Sequence, residues 1–206
     1  MPDTPLLIAG LGNPGAEYAR NRHNAGFMAV DVIHESYKFS PWRARFQGQL
    51  SEGSLGGRKT YLLKPMTYMN DSGLSIGPAM RFFKLPLDAL VVIHDEIDLA
   101  AAKLKMKKGG GDAGNNGARS ITATLGPDYR RVRIGIGHPG EKHRVHGHVL
   151  GNFSKADEEW LVPMLSAIAE AAPLLAKDDD AGFMNRIALL TQPPKKKEKK
   201  DAPDGI

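Results

Sequence analysis

Cysteine is absent from this 206-residue sequence, which removes disulfide frameworks, cysteine-ligated zinc and thiol nucleophiles from consideration together. Long hydrophobic runs are missing too: none approaches the ~20 apolar residues that cross a bilayer. The opening MPDTPLLIAG has neither the charged start nor the extended apolar stretch of a secretory signal. No internal repeat is found. These absences lead to the expectation of a soluble, cytoplasmic protein.

What is present points to one folded unit. With 41% hydrophobic residues over this length, a single domain with a sizeable core is the default. The net charge is only +5, but it is unevenly placed. Between Lys103 and Arg144 ten Lys or Arg stand against Asp112, Asp128 and Glu141, an excess of seven. Clustered cations among glycines suit a phosphate-rich partner, because counterion release rewards clustering. A solvated basic face remains the alternative.

Short apolar or alternating stretches at 6–12, 59–64, 89–94, 102–107 and 131–137 read as strands. Between them, Phe27, Val30, Ile33 and Tyr37 keep helical spacing behind Asn24 as a candidate cap, and Met80, Phe82 and Phe83 crowd one segment after Pro78. A long helix is expected from Ser154, where Ser-Lys-Ala-Asp has the capping-box form, with Trp160, Met164, Ile168, Ala171 and Leu175 on one face. Strands alternating with helices predict a three-layer α/β sandwich: a mixed, mostly parallel twisted sheet with helices on both faces. The domain is expected over 1–191, with a disordered Lys/Pro-rich tail from about 192 onward.

Several tempting motifs do not hold. Gly10–Gly15 and Gly135–Gly140 match G-x-G-x-x-G, yet Pro14 and Pro139 make turns where a dinucleotide site needs a helix to open. Gly73-Leu-Ser-Ile-Gly77 matches a nucleophile elbow, but no strand precedes it, and a helix start is the better reading. His138, His143, His146 and His148 follow no defensible ligand spacing. Neither a cofactor nor a metal is expected. What remains is polar and sits at strand ends, where open α/β sheets bind ligands: Asn13, Asn70, His94-Asp95-Glu96, and Gly109–Gly111 with Asn115 and Asn116.

Taken together, six ordered blocks resemble the bacterial peptidyl-tRNA hydrolase family: GLGNPG (10–15), Tyr18 with RHNAG (22–26), KPMTYMNDSG (64–73), HDEIDL (94–99), GGGDAGNNG (109–117) and RIGIGHPG (133–140). The resemblance implies a monomeric α/β enzyme, free of metal and cofactor, that cleaves the ester joining a peptide to the 3′ ribose of tRNA. It implies His23 as general base and Asp95 as the carboxylate that orients it. An imidazole can deprotonate water near neutral pH, and a carboxylate on its far nitrogen fixes the tautomer. Asn13 matches the position that distinguishes acylated from free α-amino groups, through its amide carbonyl. Tyr18, Tyr68, Asn70 and Asn116 match positions around the peptide and terminal nucleotide, and Lys105, Lys107 and Arg133 match positions that clamp acceptor-stem phosphates. The chain departs from the family pattern at Asn21, usually threonine, and at Asn115, usually histidine. Asn115 is accordingly left out of the expected site. A non-catalytic RNA-binding relative of the same fold is the alternative.

Overall fold

A computed structural model describes residues 4–192. The expected tail lies outside the described residues, apart from Gln192. The chain forms β1 (Leu6–Gly10), α1 (Ala25–Ser36), β2 (Arg43–Arg45), β3 (Gly48–Leu55), β4 (Arg58–Pro65), α2 (Gly73–Phe82) and β5 (Leu90–Glu96). It continues through β6 (Leu104–Lys108), α3 (Asn116–Leu125), β7 (Arg130–Gly135), α4 (Val145–Val149), α5 (Lys155–Ala176) and α6 (Asp180–Leu190).

One seven-stranded sheet runs in the order β2-β3-β4-β1-β5-β7-β6. It is mixed: β4, β1, β5 and β7 are parallel neighbours, while β2, β3 and β6 join antiparallel at the two edges. β1 and β5 are buried along their whole length, as the apolar runs at 6–9 and 90–93 require of central strands covered on both faces. Alternate residues feed two cores. Leu6, Ile8, Val91, Ile93 and Val132 pack under α1, α5 and α6, and Leu7, Ala9, Leu90 and Val92 pack under α2 and α3. Helices therefore cover both faces.

The capping box at Ser154 forms as the sequence predicts: Ser154 Oγ accepts from the Asp157 N–H and Asp157 reaches back to the Ser154 N–H. The window Glu158–Ala176 of α5 is long and apolar enough to cross a membrane by composition, yet half of it is buried inside the fold, against α1 and α6. Composition does not separate a core helix of this kind from a spanning one; packing does.

Two features position the site. Gly10 and Gly26 bring β1 and α1 into backbone contact, where a Cβ on Gly26 would lie 2.2 Å from the Ile93 carbonyl and 2.4 Å from the Leu11 nitrogen. Only glycine permits that approach, and it sets the entrance of α1 over the carboxyl ends of β1 and β5. The hairpin β2–β3 and the helices α3, α4 and α6 are the elements that pattern reading does not find. β3 is GQLSEGSL, half polar and poor in β-branched residues, and holds its strand through ladders on both sides.

Candidate active site

His23 sits in a short 3₁₀ turn, Arg22–Asn24, that leads into α1. This turn is anchored from behind. Asn21 Nδ2 donates to Asn152 Oδ1 at 2.8 Å, and Arg22 pairs with Asp157 at 3.0 Å while lying over the Phe153 ring. Asp95 is the sixth residue of β5 and is 2% exposed; His94, Asp95 and Glu96 still belong to the strand rather than following it.

The imidazole and the carboxylate meet although 72 residues separate them: His23 Nδ1 is 2.9 Å from Asp95 Oδ1 and 3.0 Å from Oδ2. An ionised carboxylate only accepts, so Nδ1 carries the proton of the neutral ring and Nε2 keeps its lone pair. Burial works against charging this ring, but the Asp95 charge and hydrogen bond outweigh burial and hold its pKa above the ordinary 6.5.

Asn115 completes the grip on the carboxylate. Its Nδ2 donates to Asp95 Oδ1 at 3.1 Å and to the Asp95 carbonyl at 3.3 Å. Its Oδ1 meanwhile caps α3 by accepting from the Ala118 N–H at 3.0 Å. One side chain thus ties the start of α3 to Asp95. The sequence reading leaves Asn115 out of the site: neither its cap, on a helix that pattern reading does not find, nor its contact with Asp95 has a local signal.

Asn13 is held against Asn24, the residue after His23, with its orientation fixed twice. Its N–H donates to Asn24 Oδ1 at 2.9 Å, its carbonyl accepts from Asn24 Nδ2 at 3.0 Å, and its own Oδ1 accepts from the Met69 N–H at 2.7 Å. Two corrections follow. Asn24 makes no capping bond to α1, because both ends of its amide are engaged with Asn13. The Asn13 carbonyl oxygen is likewise committed, so the group it offers a ligand is the Nδ2 donor.

His23, Asp95, Asn115 and Asn116 line one cavity of about 430 Å³, together with His138, Val145 and Val149 among others. No serine or threonine is among its lining residues. Asn13, Tyr18, Tyr68, Asn70, Lys105, Lys107 and Arg133 do not line it; Asn13 lines a separate cleft. Tyr68 is exposed at the turn that supplies Met69, with Asn70 exposed beside it. Lys105 and Lys107 stand on the edge strand β6, paired in register with Arg133 and Arg131 of β7. Arg133 differs from a free phosphate clamp: its side chain is only 18% exposed and faces buried Glu96 at 3.6 Å. Burial raises the Glu96 pKa. Arg131 is wholly buried and donates to the carbonyls of Gly109, Gly110 and Gly111, holding the loop that leads to Asn115. His94 is also wholly buried on the strand, and burial pushes its pKa down to about 4.

The sequence pattern of the peptidyl-tRNA hydrolase family matches residues 7–200. Peptidyl-tRNA hydrolase of Acidiphilium cryptum is 61% identical over 187 residues, covering 90% of this chain and 97% of that protein. That of Granulibacter bethesdensis is 62% identical over 187 residues, covering 90% and 96%. Among solved structures, peptidyl-tRNA hydrolase from Acinetobacter baumannii superimposes with a TM-score of 0.85 at 40% identity, covering 90% of this chain and 95% of that one. The six sequence blocks, the mixed sheet and these matches over nearly the whole described chain agree: the chain belongs to the peptidyl-tRNA hydrolase family.

Proposed function

We propose that this chain hydrolyses the ester between a peptide and the 3′ ribose of tRNA, with His23 as general base and Asp95 as its orienting carboxylate. The observation that carries this reading is a buried His23–Asp95 pair on a cavity without a serine, threonine or cysteine. With no side-chain nucleophile of these kinds at hand, water is the attacking group. His23 Nε2 takes its proton as the oxygen adds to the ester carbonyl, and the imidazolium that forms is stabilised by Asp95. Collapse of the tetrahedral intermediate expels the ribose 3′ oxygen, which regains a proton from the imidazolium.

Asn13, by its Nδ2 donor, binds the carbonyl of the substrate's last peptide bond. A free aminoacyl group offers an ammonium there instead, which a fixed N–H donor repels. Asn116 lies on the cavity wall, where an amide supports the developing oxyanion. Tyr18, Tyr68 and Asn70 contact the peptide and terminal nucleotide from outside the cavity. Lys105 and Lys107, with Arg133 once drawn from Glu96, meet acceptor-stem phosphates. The enzyme acts as a cytoplasmic monomer.

The test is release of tRNA from N-acetylaminoacyl-tRNA in EDTA. His23→Ala should lower kcat by about 10²–10⁴-fold while tRNA binding persists. Wild-type turnover in the variant would remove His23 from the reaction. Tight tRNA binding without cleavage at any pH from 6 to 9 would favour the non-catalytic relative.

A further inference from the structure

A second cleft has Asn13, but not His23, among its lining residues. It holds about 240 Å³ and is lined by Asn13, Phe27, Met28, Gln49, Lys64 and Met66 among others. A third groove of about 510 Å³ is lined by Ala44, Arg45, Gln47, Gln49, Met66 and Thr67. Gln49 and Met66 belong to both, so the two join into one track that begins at Asn13 and ends at the outermost strand, β2.

Lys64 is ion-paired, whereas Arg43 and Arg45 of β2 are exposed and keep their charge, Arg45 resting on aromatic faces. Lys64 pairs with Asp31 at 2.6 Å and covers the Trp42 ring; the Arg45 guanidinium lies 4.1 Å from the Phe82 centroid and 4.8 Å from that of Phe46. Lys105 and Lys107 stand on β6, at the opposite edge of the sheet. Lys64 is the single cation among the residues lining the inner cleft and is paired with Asp31, so that cleft suits a chain of low charge. Met28 and Met66 give it walls that adapt to side chains of different shape.

The far end also offers backbone. Phe46 and Gln47 form the two-residue turn of the β2–β3 hairpin, with φ of 52° and 50°. In such a hairpin the closing pair, here Arg45 and Gly48, exchanges hydrogen bonds, and pairing then alternates along the strand. Ala44 consequently turns its N–H and C=O away from β3, toward the open edge, and it lines the groove. From β1 to β2 is three strand spacings, roughly 14 Å, which an extended peptide covers in about four to five residues.

We propose that the distal groove, from Met66 to Ala44, is a subsite for the fourth and fifth peptide residues counted back from the ester, held through backbone hydrogen bonds at the β2 edge. Recognition of this kind is indifferent to sequence, as an enzyme acting on arbitrary peptides requires. This inference rests on the hydrolase reading given above.

The experiment measures kcat/KM on one tRNA carrying the same esterified residue, with one to six acylating residues. In the wild type the value should rise by about tenfold, the worth of one or two backbone hydrogen bonds, and level off near five residues. Ala44→Pro, which deletes the edge N–H, and Met66→Ser, which shortens the shared wall, should each bring the five-residue to one-residue ratio toward one. Met66→Ser keeps the test valid should the proline disturb the hairpin. A flat wild-type series, or a ratio that survives in both variants, overturns the subsite while cleavage of the one-residue substrate leaves the hydrolase standing. No cleavage of any substrate overturns both.

Discussion

Replacing Asp95 by asparagine separates charge from geometry at this site. Asp95 Oδ1 is the atom that receives both His23 Nδ1 and Asn115 Nδ2, and an asparagine can keep a carbonyl oxygen there, so the imidazole stays oriented while the negative charge is lost. Two charges about 4 Å apart at an effective dielectric near 20 interact by about 4 kcal/mol, or roughly a thousandfold in rate. That is the expected fall in the plateau of kcat/KM. The acid limb should move at the same time. In the wild type Asp95 holds the His23 pKa above 6.5 against the effect of burial, so activity is lost as pH falls through a value above 6.5. In Asp95→Asn burial acts without the opposing charge, and the limb should shift below 6.5. Release of tRNA measured from pH 5 to 9 reports both effects. An unchanged plateau, or a limb that remains above 6.5, would refute the assignment of Asp95 as the charge that stabilises the imidazolium.

Asn115→Ser should preserve the cap of α3, since a hydroxyl can still accept from Ala118, but lose the donor to Asp95; kcat/KM should fall by about ten- to a hundredfold, and circular dichroism should show the helix content unchanged. A fall in helix content that accounts for the loss would reduce Asn115 to a cap. His94 is neutral in the folded protein until about pH 4, whereas an unfolded histidine binds its proton below 6.5. Stability is therefore lost as pH falls through this window, on the order of 3 kcal/mol, and urea midpoints of His94→Asn should depend less steeply on pH between 7 and 4; an identical slope would show that another group sets it. Asp178 receives Arg58 and Arg130, both buried where β4 and β7 begin. Asp178→Ala should cost about 2 kcal/mol, less than the rupture of a fully buried pair because Asp178 is half exposed and Asp180 still serves Arg130. Urea unfolding checks the cost, and wild-type kcat at this distance from His23 checks that it is structural.

Local information determined a large part of this protein. Strands β1 and β5 follow from apolar runs that need cover on both faces, α5 from its capping box and stripe, and the family from six ordered motifs, because each of these is written in neighbouring residues. The His23 and Asp95 positions were legible by resemblance; their contact was not, since β5 and the turn before α1 meet only when Gly26 packs onto the backbone of β1 and β5. Tertiary structure alone decided the direction of each polar group. Asn24 spends its amide on Asn13 rather than on a helix cap, Asn13 turns its donor outward because Met69 takes its oxygen, Arg133 faces Glu96, and Asn115 binds Asp95 although it departs from the family's histidine. A short polar side chain has several partners within reach along the chain, and which one it takes depends on residues brought together from 11 to 56 positions away, a choice that no local pattern encodes.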